Sequence, residues 1–232
     1  MLRWNSLLVI ASFFVLAPVS SPTSQAVIDQ DIWVPAPPLG HCVVPELAGN
    51  VFKATLTPGG HEYLPGRCGG QGRAPGERES LRGLTAREAL DRLVWLDARY
   101  RWVERDGVLV VRPVTAWDDA NHFLHRTISV AFADQNVGGA LFALLTAIGP
   151  TKYTGSGERT FNTVEMNRRF SVSLDATPAL EALNAVVRTH GRLQWLVGYC
   201  QPESKVEFAI VMLHTFDDGG IGGQPGAVPC KQ

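Results

Sequence analysis

The chain has 232 residues, with 21 Lys and Arg against 22 Asp and Glu and a formal net charge of −1. That balance argues against nucleic acid or an anionic membrane surface as partner, since either would call for a basic patch. Hydrophobic residues make up 45 % of the chain, enough to build a real core in one large or two small domains.

Residues 1–26 read as a secretory signal. Arg3 lies in a short leading segment, an apolar run extends from Ser6 to Val19, and Ser24-Gln25-Ala26 offers small residues ahead of a cleavage point. The apolar run is too short to span a bilayer comfortably. The expectation is a periplasmic or secreted protein cleaved near Ala26, touching a membrane only through the signal if it is retained. Export would place Cys42, Cys68, Cys200 and Cys230 in an oxidising compartment. Of the three pairings that four cysteines allow, Cys42–Cys68 and Cys200–Cys230 are expected, because each pair flanks a Gly/Pro-rich loop. A metal reading of Cys42 and Cys68 with His41 and His61 lacks the close Cys-x-x-Cys spacing of structural zinc sites.

Residues 27–80 form a Pro/Gly-rich segment. Pro35, Pro37, Pro38 and Pro45 point to extended chain, and Val51–Thr57 alternates as a strand between Asn50 and the turn signal Pro58-Gly59-Gly60. Gly66–Arg78 reads as a surface loop.

Residues 81–114 make the best-defined unit, centred on Gly83–Pro113. Thr85 and Glu88 have capping-box spacing. Ala86, Ala89, Leu90, Leu93 and Val94 then form one apolar stripe of a helix. Tyr100–Arg105 and Val108–Arg112 are strand-like and joined by Asp106-Gly107, the dipeptide suited to a type I′ hairpin. On these residues the chain resembles the short N-terminal domain shared by secretins and TonB-dependent receptors, an STN-like module. The resemblance implies a small periplasmic α+β module that binds another protein. No run of strands for a barrel accompanies it, so the chain is not expected to be the receptor or the secretin itself.

The pattern returns in residues 123–216. Ile128–Ala133 is a strand, Asn136 an N-cap, and Val137–Ile148 a helix stopped by Gly149-Pro150. Ala140, Leu141, Leu144 and Leu145 lie 51 positions after Ala89, Leu90, Leu93 and Val94. After a polar loop, Arg169–Leu174 is a strand, and Thr177-Pro178 starts a helix with Pro at its first position. Ala182, Leu183, Val186, Val187 and Trp195 lie 93 after Ala89, Leu90, Leu93, Val94 and Trp102. Leu193–Tyr199 and Lys205–Leu213 close this third copy, and residues 217–232 form a Gly-rich tail. The expected fold is α+β, with repeated strand–helix–hairpin units whose helices pack on small antiparallel sheets. The second copy lacks a complete hairpin, so it is expected to merge with the third.

No nucleophile motif, phosphate loop or cofactor signature is present, and the sequence nominates no catalytic set. His122 and His125, with Asp118 and Asp119 just before them, could line one side of a turn as metal ligands, against the plainer reading of a polar connector. Asp217-Asp218-Gly219-Gly220 only loosely suggests a calcium loop. Trp102 and Trp195 are expected in the core and Trp95 at an exposed contact, while His190 is expected as a helix C-terminal residue favoured by the dipole. Function is expected to be non-enzymatic contact with another envelope protein. The alternatives are an envelope-acting metal-dependent hydrolase using His122 and His125, and a glycan or small-ligand binder using exposed aromatics such as Trp95 and Trp117.

Overall fold

A computed structural model describes residues 26–35, 39–40, 42–65, 79–149, 163–200 and 208–216. The Pro/Gly-rich segment opens with strand β1 (Trp33–Val34) and continues into helix α1 (Val43–Thr55). Residues 51–57 are therefore not a strand. Val44, Leu47, Ala48, Val51, Phe52 and Thr55 recur at helical steps and all are buried. Pro45 lies in the first turn, where a missing N–H costs no helical hydrogen bond. Leu56 ends the helix in the left-handed region at φ 52°.

Pro58-Gly59-Gly60 does not make the expected turn either, because both glycines belong to strand β2 (Gly59–Glu62). They are glycines because neighbours lie against the backbone: a Cβ on Gly59 would come within 2.5 Å of Phe52, and one on Gly60 within 1.8 Å of Trp195. Strand β3 (Glu79–Ser80) pairs antiparallel with β1.

Helix α2 (Ala86–Leu96) carries the reciprocal capping box of Thr85 and Glu88. Strands β4 (Tyr100–Arg105) and β5 (Val108–Pro113) turn through Asp106 and Gly107 at φ 51° and 78°, the left-handed pair that a type I′ turn requires. Residues 27–80 are thus no preface to this unit. They supply β1, α1, β2 and β3 to it.

A short helix α3 (Val114–Asp118) and a 3-10 turn (Phe123–His125) lead into β6 (Thr127–Gln135) and α4 (Val137–Ile148). Asn136 caps α4, its side chain accepting from Gly139 N at 2.9 Å. Then follow α5 (Val164–Asn167), β7 (Phe170–Pro178), α6 (Ala179–His190), β8 (Leu193–Cys200) and β9 (Phe208–Thr215). Thr177 is not the N-cap of α6. It stays in the β6–β7 ladder opposite Ile128, its hydroxyl donates to Asp175 O at 2.9 Å, and Pro178 takes the cap position without a side-chain bond.

The fold is α+β. Two antiparallel ribbons, β1–β3 and β6–β7, lie outside a five-stranded sheet of order β4-β5-β2-β8-β9. That sheet is mixed, not antiparallel throughout, because β2 runs parallel to both β5 and β8. Alternate residues of β5 face opposite cores. Leu109 and Val111 join the cluster of α1 and α2, while Val108 and Val110 join that of α4 and α6. Helices α1 and α2 pack on one face of the central sheet and α4 and α6 on the other, the latter pair also lying against the β6–β7 ribbon.

The equivalences run over a larger unit than the three copies expected from the sequence. A shift of 93 positions carries Val44, Leu47, Val51 and Thr55 of α1 onto Val137, Ala140, Leu144 and Ile148 of α4, all eight buried. The same shift carries the indole hydrogen bond from Trp102 to Asp91 onto that from Trp195 to Asn184, both 2.9 Å. Within the second unit, a shift of 42 relates its halves. Asp134 and Ala176 both adopt positive φ, and their amides donate to Ser171 and Ser129 respectively.

Candidate functional site

The densest buried polar cluster lies where the two units meet. Strand β2 delivers Glu62, β5 delivers Arg112, the 3-10 connection between units delivers His122 and His125, and β8 delivers Tyr199. The Glu62 and Arg112 side chains are both 0 % exposed and form an ion pair, with Arg112 Nε donating to Glu62 Oε2 at 2.5 Å. The other carboxylate oxygen accepts from the Tyr199 hydroxyl and from His122 Nε2, the latter at 2.9 Å.

Donor and acceptor roles follow from the geometry. His122 Nδ1 receives Arg112 Nη2 at 3.0 Å and the Leu124 amide at 3.2 Å, so its proton lies on Nε2, facing Glu62. His125 Nε2 faces Arg112 Nη1 at 3.2 Å, and its Nδ1 donates to Asp119 O at 2.9 Å. Arg112 Nη2 also reaches Ala116 O at 3.1 Å, and its guanidinium lies 4.8 Å from the Trp117 ring centre.

Burial alone would raise the Glu62 carboxyl, but the His122 hydrogen bond, the Arg112 charge and the Tyr199 hydroxyl together hold it below the ordinary carboxylate range. Burial lowers His125, and the Arg112 charge lowers it further.

This geometry speaks directly to the metal reading of His122 and His125. The lone pair that a metal would need is taken on each ring by an arginine N–H. The two aspartates do not converge with them: Asp118 faces Arg101 at 3.6 Å, and the Asp119 carboxylate accepts from the Asn121 amide at 2.9 Å. Among the described residues, no group of three His, Cys, Asp or Glu is placed to hold a metal.

His61, the other histidine of a metal reading, lies in β2 against α1. Burial, reinforced by His214, pushes its pKa down to about 3. Cys42 caps α1 and is buried, and no described cysteine is a free thiol. His41, Cys68, Cys230 and the side chain of Cys200 lie outside the described residues. So do Asp217-Asp218-Gly219-Gly220 and Gly66–Arg78.

Trp195 is fully buried in the core, whereas Trp102 is half-buried at the edge of the other core. Trp95 is 70 % exposed with Arg92 stacked 4.5 Å from its ring centre. His190 does not serve as a helix-end cation. It is buried against Phe170, its Nε2 bonds Glu165 O at 3.0 Å, and burial lowers its pKa.

Glu62, Arg112 and Tyr199 escaped the sequence reading. A charge closing each of the runs Gly-Gly-His-Glu and Val-Leu-Val-Val-Arg was the available signal. Their separations of 50 and 137 positions hid the pairing. No protein-family model matches the chain, and no curated protein or solved structure matches it.

Proposed function

We propose that this chain is a non-enzymatic, exported protein-interaction module of the cell envelope, built from two STN-like units and acting by contact with another envelope protein. The observation carrying this reading is α4. Its twelve residues include no charge, and its outer face presents Phe142 at 74 % exposure beside the half-buried Leu141 and Leu145. A helix apolar on all sides normally lies inside a protein, and an exposed one marks a contact surface.

The buried cluster fits the same reading. Its polar groups satisfy one another, so it fastens the two units together and offers no poised acid or base to a substrate. Trp95 under Arg92 favours the glycan-binding alternative as second choice, since an exposed aromatic can stack on a sugar.

The test is capture on the immobilised full chain from native envelope extract, with Phe142→Asp as comparison. A retained envelope protein whose recovery falls with Phe142→Asp supports the module. Stoichiometric zinc in natively purified protein, lost in His122→Ala, overturns it in favour of the hydrolase.

A further inference from the structure

A guanidinium carries N–H donors and no acceptor. Both histidine rings of the buried cluster face that of Arg112 through a bare nitrogen, His122 Nδ1 at 3.0 Å from Nη2 and His125 Nε2 at 3.2 Å from Nη1. Each contact therefore exists only while that ring nitrogen has no proton. A proton there turns an acceptor into a donor and sets a second positive charge against Arg112.

The same rings hold the connection between the units. His122 caps the 3-10 turn, its Nδ1 accepting from the Leu124 amide at 3.2 Å. His125 ends that turn, with its own amide bonded to His122 O at 2.8 Å and its Nδ1 donating to Asp119 O at 2.9 Å. His122 is covered by Glu62 and Tyr199, whereas the His125 ring is only half-buried and can exchange a proton with solvent.

The surrounding groups leave a proton on His125 Nε2 without an acceptor. Strand β5 sets Arg112 against the two rings, β2 sets Glu62 and β8 sets Tyr199, and the Glu62 carboxylate is already engaged by Arg112, Tyr199 and His122. Asp119 offers a backbone carbonyl while its carboxylate turns to the Asn121 amide, and Asp118 of α3 faces Arg101. The α6 charges Glu181 and Arg188 pair with Arg105 and Asp106.

We infer that the connection between the units is a proton-operated latch, held closed by neutral His125 on Arg112 and released when His125 Nε2 takes a proton. It stands on the cluster alone, whatever partner the chain meets. Burial and the Arg112 charge hold His125 below the ordinary histidine range. The latch is therefore closed at neutral pH and opens as pH falls through that depressed value. Glu62, itself held low, stays ionised and keeps Arg112, so the pairing of β2 with β8 outlasts the release.

The test is nuclear magnetic resonance of the full chain between about pH 7.5 and about pH 5, a window that brackets the ordinary histidine value. Imidazole nitrogen spectra at neutral pH should show the His125 proton on Nδ1. As the ring takes its second proton, the protection of the His125 and Arg126 amides against hydrogen exchange should fall about tenfold. The Tyr63 amide, bonded to Val197 O at 2.9 Å, should stay protected throughout. His125→Gln has a side-chain carbonyl that can accept from Arg112 and does not titrate, so it should keep both connection amides protected at the acid end.

Unchanged protection through the His125 titration overturns the latch, and so does an equal loss in His125→Gln. Loss at Tyr63 in step with the connection makes the event global unfolding and overturns it too. Should His125→Gln fail to fold, the parent spectra decide alone. A midpoint of amide loss shared with the His125 ring, with Tyr63 still protected, supports the latch, and a midpoint that departs from the ring's overturns it.

Discussion

At the scale of single residues, the Glu62–Arg112 pair decides most. Both side chains are out of water, so the pair itself is weak evidence of net stability, but either member alone is a serious liability. Arg112→Met should cost about 3–5 kcal/mol in a denaturant titration, because Glu62 is left charged and unpaired. The double variant Glu62→Gln with Arg112→Met should recover a large part of that loss. A second prediction concerns acid. His61 titrates near 3 when folded, against an ordinary value of about 6.5. Its folded pKa is depressed, so its contribution is fully present above about pH 6.5 and declines as pH falls toward 3, by at most about 1.4 kcal/mol per pH unit. Stability measured from pH 7 to 4 should therefore fall less steeply in His61→Gln than in the parent chain.

At the scale of elements, the two tryptophans with matching hydrogen bonds are expected to differ in weight. Trp195→Ala should cost about 3–5 kcal/mol, and the half-buried Trp102→Ala roughly half as much. Gly60→Ala should be as damaging as the loss of Trp195, since the new methyl group has no room beside the indole. Denaturant midpoints of the three variants check the ranking. These elements also show what was legible in the sequence. The α2 cap, the Asp106-Gly107 hairpin and α4 were readable because capping chemistry, left-handed turn residues and 3.6-residue periodicity are local signals. Strand β2 was not, because its glycines answer to Phe52 and to Trp195, the latter 135 positions further on. The helical stripe of α1 was hidden by Pro45 and by an alternation that only tertiary burial could overrule. The buried cluster was half legible: its histidines stood together in the connection, and the carboxylate and arginine that give them their roles did not.

At the scale of the molecule, the two units share one sheet, and Tyr199 of the second donates to the buried Glu62 carboxylate of the first, so they should unfold together. Far-ultraviolet circular dichroism and tryptophan fluorescence should give coincident transitions, and calorimetric and van't Hoff enthalpies should agree. Separate transitions would mean that the β2–β8 pairing is weaker than either core. That same pairing has a consequence for synthesis. The amino-terminal unit can assemble β1 to β5 while the rest of the chain is still being made, yet the outer side of β2 waits for residues 194–197. At ordinary rates of translation that delay is on the order of ten seconds. Throughout it, the nascent protein carries an unpaired four-residue edge and a Glu62 carboxylate that lacks its Tyr199 partner. The shortness of β2 and the charge at its end limit what else can dock there in the interval, so the strand that finally joins the units is also the one best guarded against joining the wrong neighbour.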